Sequence, residues 1–190
     1  MIDVGAATAG LAGAWRLARL DRNGMRYFEA TVEGFWRSFQ AAAIAAPIYL
    51  ILVLLRTDDH PLSSDPVRAT LIEAIGYVID WTAFPLAAWY LCRAFHCSNR
   101  YFGFIVAYNW ANVLQMVVFV PVAFLSAEAI LPSGMVSLVA LAMTGAVIYY
   151  QYFITRTALE VDVLPALAFV AVAFVIDLLL DAVETTMQMQ

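Results

Sequence analysis

Glu73 and Asp80 stand seven residues apart in "EAIGYVIDWTAFPLAAWY", a stretch otherwise apolar enough to cross a membrane. Seven residues are about two helical turns, so both carboxylates fall on one face, with Gly76 and Tyr77 between them. A second acidic stripe follows in "FVIDLLLDAVE", where Asp177, Asp181 and Glu184 are spaced four and three apart. Between the two stripes, "YNWANVLQ" sets Asn109, Asn112 and Gln115 at successive intervals of three. A carboxylate inside an apolar span has few options: it is protonated, hydrogen-bonded to amides and tyrosines, or balanced by a cation. Two readings follow. In the first, Glu73, Asp80, Asn109, Asn112, Gln115, Asp177 and Asp181 surround a pocket for a proton, a cation or a cationic solute, with Asp80 and Asp177 at its centre. In the second they are interhelical hydrogen-bonding groups, or contacts for another subunit, at about 0.6 kcal/mol per bond on average.

Other constellations carry less chemistry. "CRAFHC" places Cys92 and His96 four apart with Cys97 adjacent, a zinc fragment without a fourth ligand nearby. "RTDDHPLSSDPVR" gathers Asp58, Asp59, His60 and Asp65, oxygen-rich ligands of the kind a divalent cation takes, in an exposed loop. His60 and His96 are the only histidines, so a haem held by paired membrane histidines is excluded. There is no Walker-type glycine loop, no G-x-S-x-G and no H-E-x-x-H, and serine is scarce in the apolar segments. No enzymatic activity, cofactor or resident metal is expected.

The elements that must position these residues follow from composition. The chain has 190 residues, 64% hydrophobic and 13% charged, with a mean hydropathy of +0.80, whereas soluble domains run at roughly 45–50% apolar. Five apolar segments, 35–55, 69–92, 101–125, 135–155 and 163–181, each approach the ~20 residues that cross a hydrocarbon core of about 30 Å. The predicted fold is all-α: a membrane bundle of five transmembrane helices preceded by an interfacial amphipathic helix. Residues 1–34 form the interfacial segment, 35–183 the bundle and 184–190 a short tail. Pro47, Pro85, Pro121 and Pro165 lie in or near spans, where a missing amide kinks a helix.

All ten basic residues are arginines. Threaded through five spans, Arg16, Arg19, Arg22, Arg26, Arg37, Arg93, Arg100 and Arg156 fall on one side, and only Arg56 and Arg68 on the other. That bias places the N-terminus in the cytoplasm and the C-terminus on the opposite face. The net charge of −5 forms no basic patch for nucleic acid. No cleaved export signal is expected, because Asp3 stands at the front and Arg16 is the first basic residue. Ahead of the first span, Phe28, Val32, Phe35 and Phe39 recur at helical spacing opposite Arg26, Glu29, Glu33 and Arg37, with Glu33 four residues before Arg37. The expectation is a helix lying along the inner surface, anchored by Trp15, Arg16, Arg19, Arg26, Trp36 and Arg37. "RYFEATVEGFW" and "RYFGFIVAYNW" also share Arg, Tyr, Phe, Val and Trp in register. Either the chain contains a repeat, or both segments begin at an interface that favours those residues.

A cytoplasmic amphipathic region, five closely spaced spans, almost no tail and the Gly76-Tyr77 pair together resemble the Yip1-like family of small polytopic membrane proteins. The acidic, YG-containing signature of its eukaryotic members does not stand out here, so their role with trafficking GTPases is not carried over. The run "GAWRLARLDRNGMRYFEATVEGFWRSFQAAAIAAP" is similar to uncharacterised bacterial inner-membrane proteins. The likeness implies a multi-pass inner-membrane protein and supplies no activity; the lipid- or partner-facing aromatics, the interfacial helix and the short loops fit a non-enzymatic accessory subunit of a larger complex or a membrane-organising factor, whose partners are the bilayer and other membrane subunits or its own copies. The alternative is a small transporter or channel for protons, cations or a cationic solute.

Overall fold

The computed structural model describes residues 3–55, 66–128, 130 and 132–188; the loop residues Asp58, Asp59, His60 and Asp65 lie outside them. The helices are α1 (Val4–Ala18), α2 (Val32–Ser38), α3 (Gln40–Leu54), α4 (Pro66–Ala94), α5 (Tyr101–Ala127), α6 (Ser133–Leu159) and α7 (Val163–Gln188), with tight 3₁₀ turns at Arg22–Tyr27 and Ser98–Arg100. Among the described residues there is no strand. Val32–Leu54, Val67–Ala94, Ser98–Ala127, Gly134–Leu159 and Val163–Met187 are long and apolar enough to cross a membrane, so this is a multi-pass all-α membrane protein. The helices outrun the predicted segments. The 27 residues of α5 rise about 40 Å, roughly 10 Å more than the hydrocarbon core. α7 continues to Gln188, through the residues read as a tail.

Local chemistry sets the helix ends. The Asp3 carboxylate accepts the Ala6 N–H at 3.0 Å and caps α1. At its other end Leu20 turns left-handed (φ 60°), and the Leu20 and Asp21 amides bond back to Leu17 and Arg16. α4 closes in the same way. His96 is left-handed (φ 56°), and the Cys97 N–H reaches the Cys92 carbonyl at 2.9 Å. "CRAFHC" is therefore a helix-closing turn, with both cysteines buried and His96 exposed.

The single amphipathic helix expected through Phe28 to Phe39 is broken. Asp21 accepts the Asn23 N–H and starts the 3₁₀ turn, Phe28 is extended (φ −102°, ψ 128°), and Thr31 restarts the helix by accepting from Gly34 N–H. That Asn23 N–H, then the Asn23 side chain, and to a lesser degree the nearby Arg16 and Arg26 charges hold the Asp21 carboxyl below its usual range. Arg37 does not pair with Glu33. It meets Glu29 at 3.1 Å and Asp3 at 3.7 Å, tying the start of α1 to α2.

α5 is the hub. Gly103 to Ala111 are buried without interruption, with α1, α2, α3, α4 and α6 all packed on this helix. The two R-Y-F segments pack on each other: the Phe35 ring lies 5.8 Å from Tyr101 and 5.7 Å from Phe102. One is a turn and a short helix, the other the start of a continuous helix, so the shared letters do not describe a structural repeat. Tyrosines stitch neighbouring backbones. The hydroxyls of Tyr77, Tyr101 and Tyr150 donate to the carbonyls of Ala42, Pro85 and Ala14 at 2.6, 2.9 and 2.7 Å.

α1 sits against α5 through Gly10, whose missing side chain leaves room for the Trp110 indole; a Cβ there would overlap the ring. Gly10→Ala is expected to cost about 1–3 kcal/mol by overpacking. Gly145→Ala, where nothing lies within 4 Å, is expected to be neutral or to gain up to about 1 kcal/mol of helix propensity. Thermal unfolding of the two variants in detergent checks both, and equal behaviour would contradict the α1–α5 contact.

Candidate functional site

Four helices close a ring: α5 packs on α6, α6 on α7, α7 on α4, and α4 on α5. Between them lies an open cavity of about 190 Å³ lined by Asp80 from α4, Tyr108, Asn112 and Gln115 from α5, Gln151 from α6 and Asp177 from α7. A second cavity of about 150 Å³ opens between α3, α4 and α7, lined by Tyr49, Tyr77, Asp181 and Glu184 and again by Asp80 and Asp177. The two aspartates therefore stand at the boundary of both spaces. The acidic stripes of the second and fifth spans meet within one chain.

Gly76 makes this meeting possible. The Glu184 carboxylate of α7 lies over its Cα, and a Cβ at position 76 would collide with that oxygen. α3 reaches the site through side chains. Tyr49 O–H donates to the Glu73 carboxylate at 2.5 Å, and the Tyr49 and Tyr77 rings lie 4.8 Å apart.

Polarity within the ring is one-sided. Among the described residues no arginine lines either cavity. The Gln151 amide donates to Gln115 Oε1 at 3.3 Å, whereas Gln115 Nε2 is buried with no partner. In the isolated chain Asp80, Asp177 and Asp181 are exposed to the cleft side. Carboxylates held beside a ring of amides and hydroxyls supply the oxygen donors that a proton or a hard cation takes.

Most of the predicted pocket is brought together: Asp80, Asn112, Gln115, Asp177 and Asp181 line the two cavities. Glu73 is set back behind Tyr49. Asn109 is elsewhere, buried at 1% exposure, where its amide donates to Ser38 Oγ at 2.8 Å. It fastens α2 to α5, because one helical turn separates it from Asn112 and its face meets the N-terminal segment. Tyr49, Tyr108 and Gln151 were missed. Gln151 was findable, as an amide in the apolar span "IYYQYF"; the tyrosines read equally well as packing. Of the predicted anchors, Trp15 and Trp36 are 55% and 69% exposed. Arg19 is also exposed, and Arg16 and Arg37 are engaged with acids.

Comparison with family models, with curated proteins and with solved structures finds no match for this chain.

The two asparagines separate structure from site. Asn109→Ala is expected to lower stability by about 1–3 kcal/mol, because Ser38 and Asn109 satisfy each other in a closed core. Asn112→Ala, facing the cavity, is expected to stay within about 0.5 kcal/mol. Unfolding midpoints measured side by side decide it; a larger loss at Asn112 would make that residue structural.

Proposed function

We propose that this membrane protein carries protons, inorganic cations or a small cationic solute across the bilayer, with Asp80 and Asp177 as the exchange sites. One observation supports this reading above the others: both aspartates line both cavities, so a cation entering between α3, α4 and α7 meets the same two carboxylates that face the inner ring. Two carboxylates with no arginine among the described residues of either lining attract positive charge, and a proton on either one competes with a metal or ammonium cation there. Such a role needs no nucleophile, cofactor or bound metal, in keeping with a non-enzymatic protein. The arginine bias supports a cytoplasmic N-terminus, and the overall layout suits a bacterial inner membrane.

A second reading rests on exposure. Asp80 and Asp177 lie well inside their spans and are open in the isolated chain, and hydrocarbon does not tolerate a bare carboxylate. Another subunit covering the cleft would shield them, which is the accessory-subunit role that the exposed aromatics and short loops suit.

The test is flux in proteoliposomes containing the purified chain, with a trapped pH- or cation-sensitive dye. Wild-type protein is expected to dissipate an imposed proton or cation gradient, and Asp80→Asn and Asp177→Asn each to abolish that flux while folding normally. Undiminished flux in both variants removes the aspartates from the role. No flux in the wild type, together with a stoichiometric protein that co-purifies with it and is lost from Asp80→Asn, favours the accessory subunit.

A further inference from the structure

At the opposite end of the molecule from the α7 C-terminus, the 3₁₀ turn and the α6–α7 connection enclose an open cleft of about 540 Å³. Arg22 and Arg26 approach from the turn and Arg156 from the end of α6, with Thr157 beside them. Among the described residues none of these three arginines has an ion-pair partner, whereas Arg16, Arg37 and Arg100 all have one. The acids nearby are largely spoken for. Both Glu160 oxygens accept from Arg100 at 2.5 Å. Asp21 lies 3.6 Å from Arg16 and accepts from Asn23. Asp162 alone among the lining acids is left to offset three guanidinium groups. We propose that this cleft binds the phosphate headgroup of an anionic phospholipid.

Three features favour a lipid over a soluble phosphate. The cleft lies where the spans Gly134–Leu159 and Val163–Met187 turn back, the level at which headgroups sit. Trp15, Tyr27 and Trp36, on the same N-terminal segment, are 55%, 39% and 69% exposed, the placement of an aromatic interface belt. An apolar groove of about 190 Å³ between the end of α1, α5 and α6 includes Met143, Val147 and Tyr150. At three- and four-residue spacing that stripe of α6 continues to Thr157, so groove and cleft lie along one helix face, with Ile154 buried between them. A guanidinium fork matches phosphate geometry, and the groove offers room for an acyl chain.

The experiment uses the full chain purified in non-ionic detergent, with thermal unfolding and native mass spectrometry read against added phosphatidylglycerol, phosphatidylcholine and inorganic phosphate. Phosphatidylglycerol is expected to raise the midpoint and to remain bound in preference to phosphatidylcholine, with inorganic phosphate without effect. At about fivefold per arginine, Arg22→Gln/Arg156→Gln is expected to weaken retention by about tenfold or more. The charge-matched Arg68→Gln/Arg93→Gln, outside the cleft, is expected to retain it. Equal retention of the two lipids, an equal loss in the control variant, or a midpoint shift with inorganic phosphate alone would overturn the proposal. The lipid comparison on wild-type protein stands even if the variant does not fold.

Discussion

A carboxylate halfway along a membrane helix costs about 2.5–3.5 kcal/mol to place in lipid, and this chain carries two, on different helices. Everything around the ring answers that cost. α4 and α7 must present Asp80 and Asp177 to each other's side rather than to hydrocarbon, and Gly76 lets them approach by clearing the path of Glu184. The amides of α5 and α6 then face the same space. α3 stays at arm's length and reaches α4 through Tyr49 and Tyr77, which leaves the cleft open on that flank.

The rest of the fold holds α5 still. Its first half is packed against the N-terminal segment. Small residues make that enclosure close: Ala14 is fully buried, and Gly10 admits the Trp110 ring. In a bilayer there is little hydrophobic gain between helices, so packing and interhelical hydrogen bonds carry the association. The tyrosine hydroxyls on Ala14, Ala42 and Pro85 carbonyls supply such bonds without exposing a polar group to lipid. The ordered end of the bundle and the open, acidic middle thus have different compositions and different roles.

The five spans and the acidic stripes were legible because hydropathy and helical periodicity act within one segment. The seven-residue spacing of Glu73 and Asp80 gave a shared face, and the intervals in Asp177, Asp181 and Glu184 gave another. Their convergence was not legible, since it depends on which helices neighbour one another around α5. Asn109 shows the limit. Its spacing matched Asn112 and Gln115, yet three residues move a side chain about 4.5 Å along the axis and about 60° round it, enough here to take Asn109 from the cavity to Ser38. The N-terminal helix was misjudged for a different reason. The apolar spacing of Phe28, Val32, Phe35 and Phe39 is real, but Phe28 is extended and Thr31 caps, so the helix begins only at Val32.

The proposed role requires Asp80 to face a water-filled, cation-attracting cleft. Labelling of Asp80→Cys in a Cys92→Ala/Cys97→Ala background, with water-soluble thiol reagents of opposite charge, tests it most directly. Modification is expected, faster with the cationic reagent than with the anionic one while Asp177 remains, and slowed by a competing cation. No modification by either reagent, in protein shown to be folded, would mean that position 80 sees lipid or a covering subunit, and the cleft would not be a route for cations.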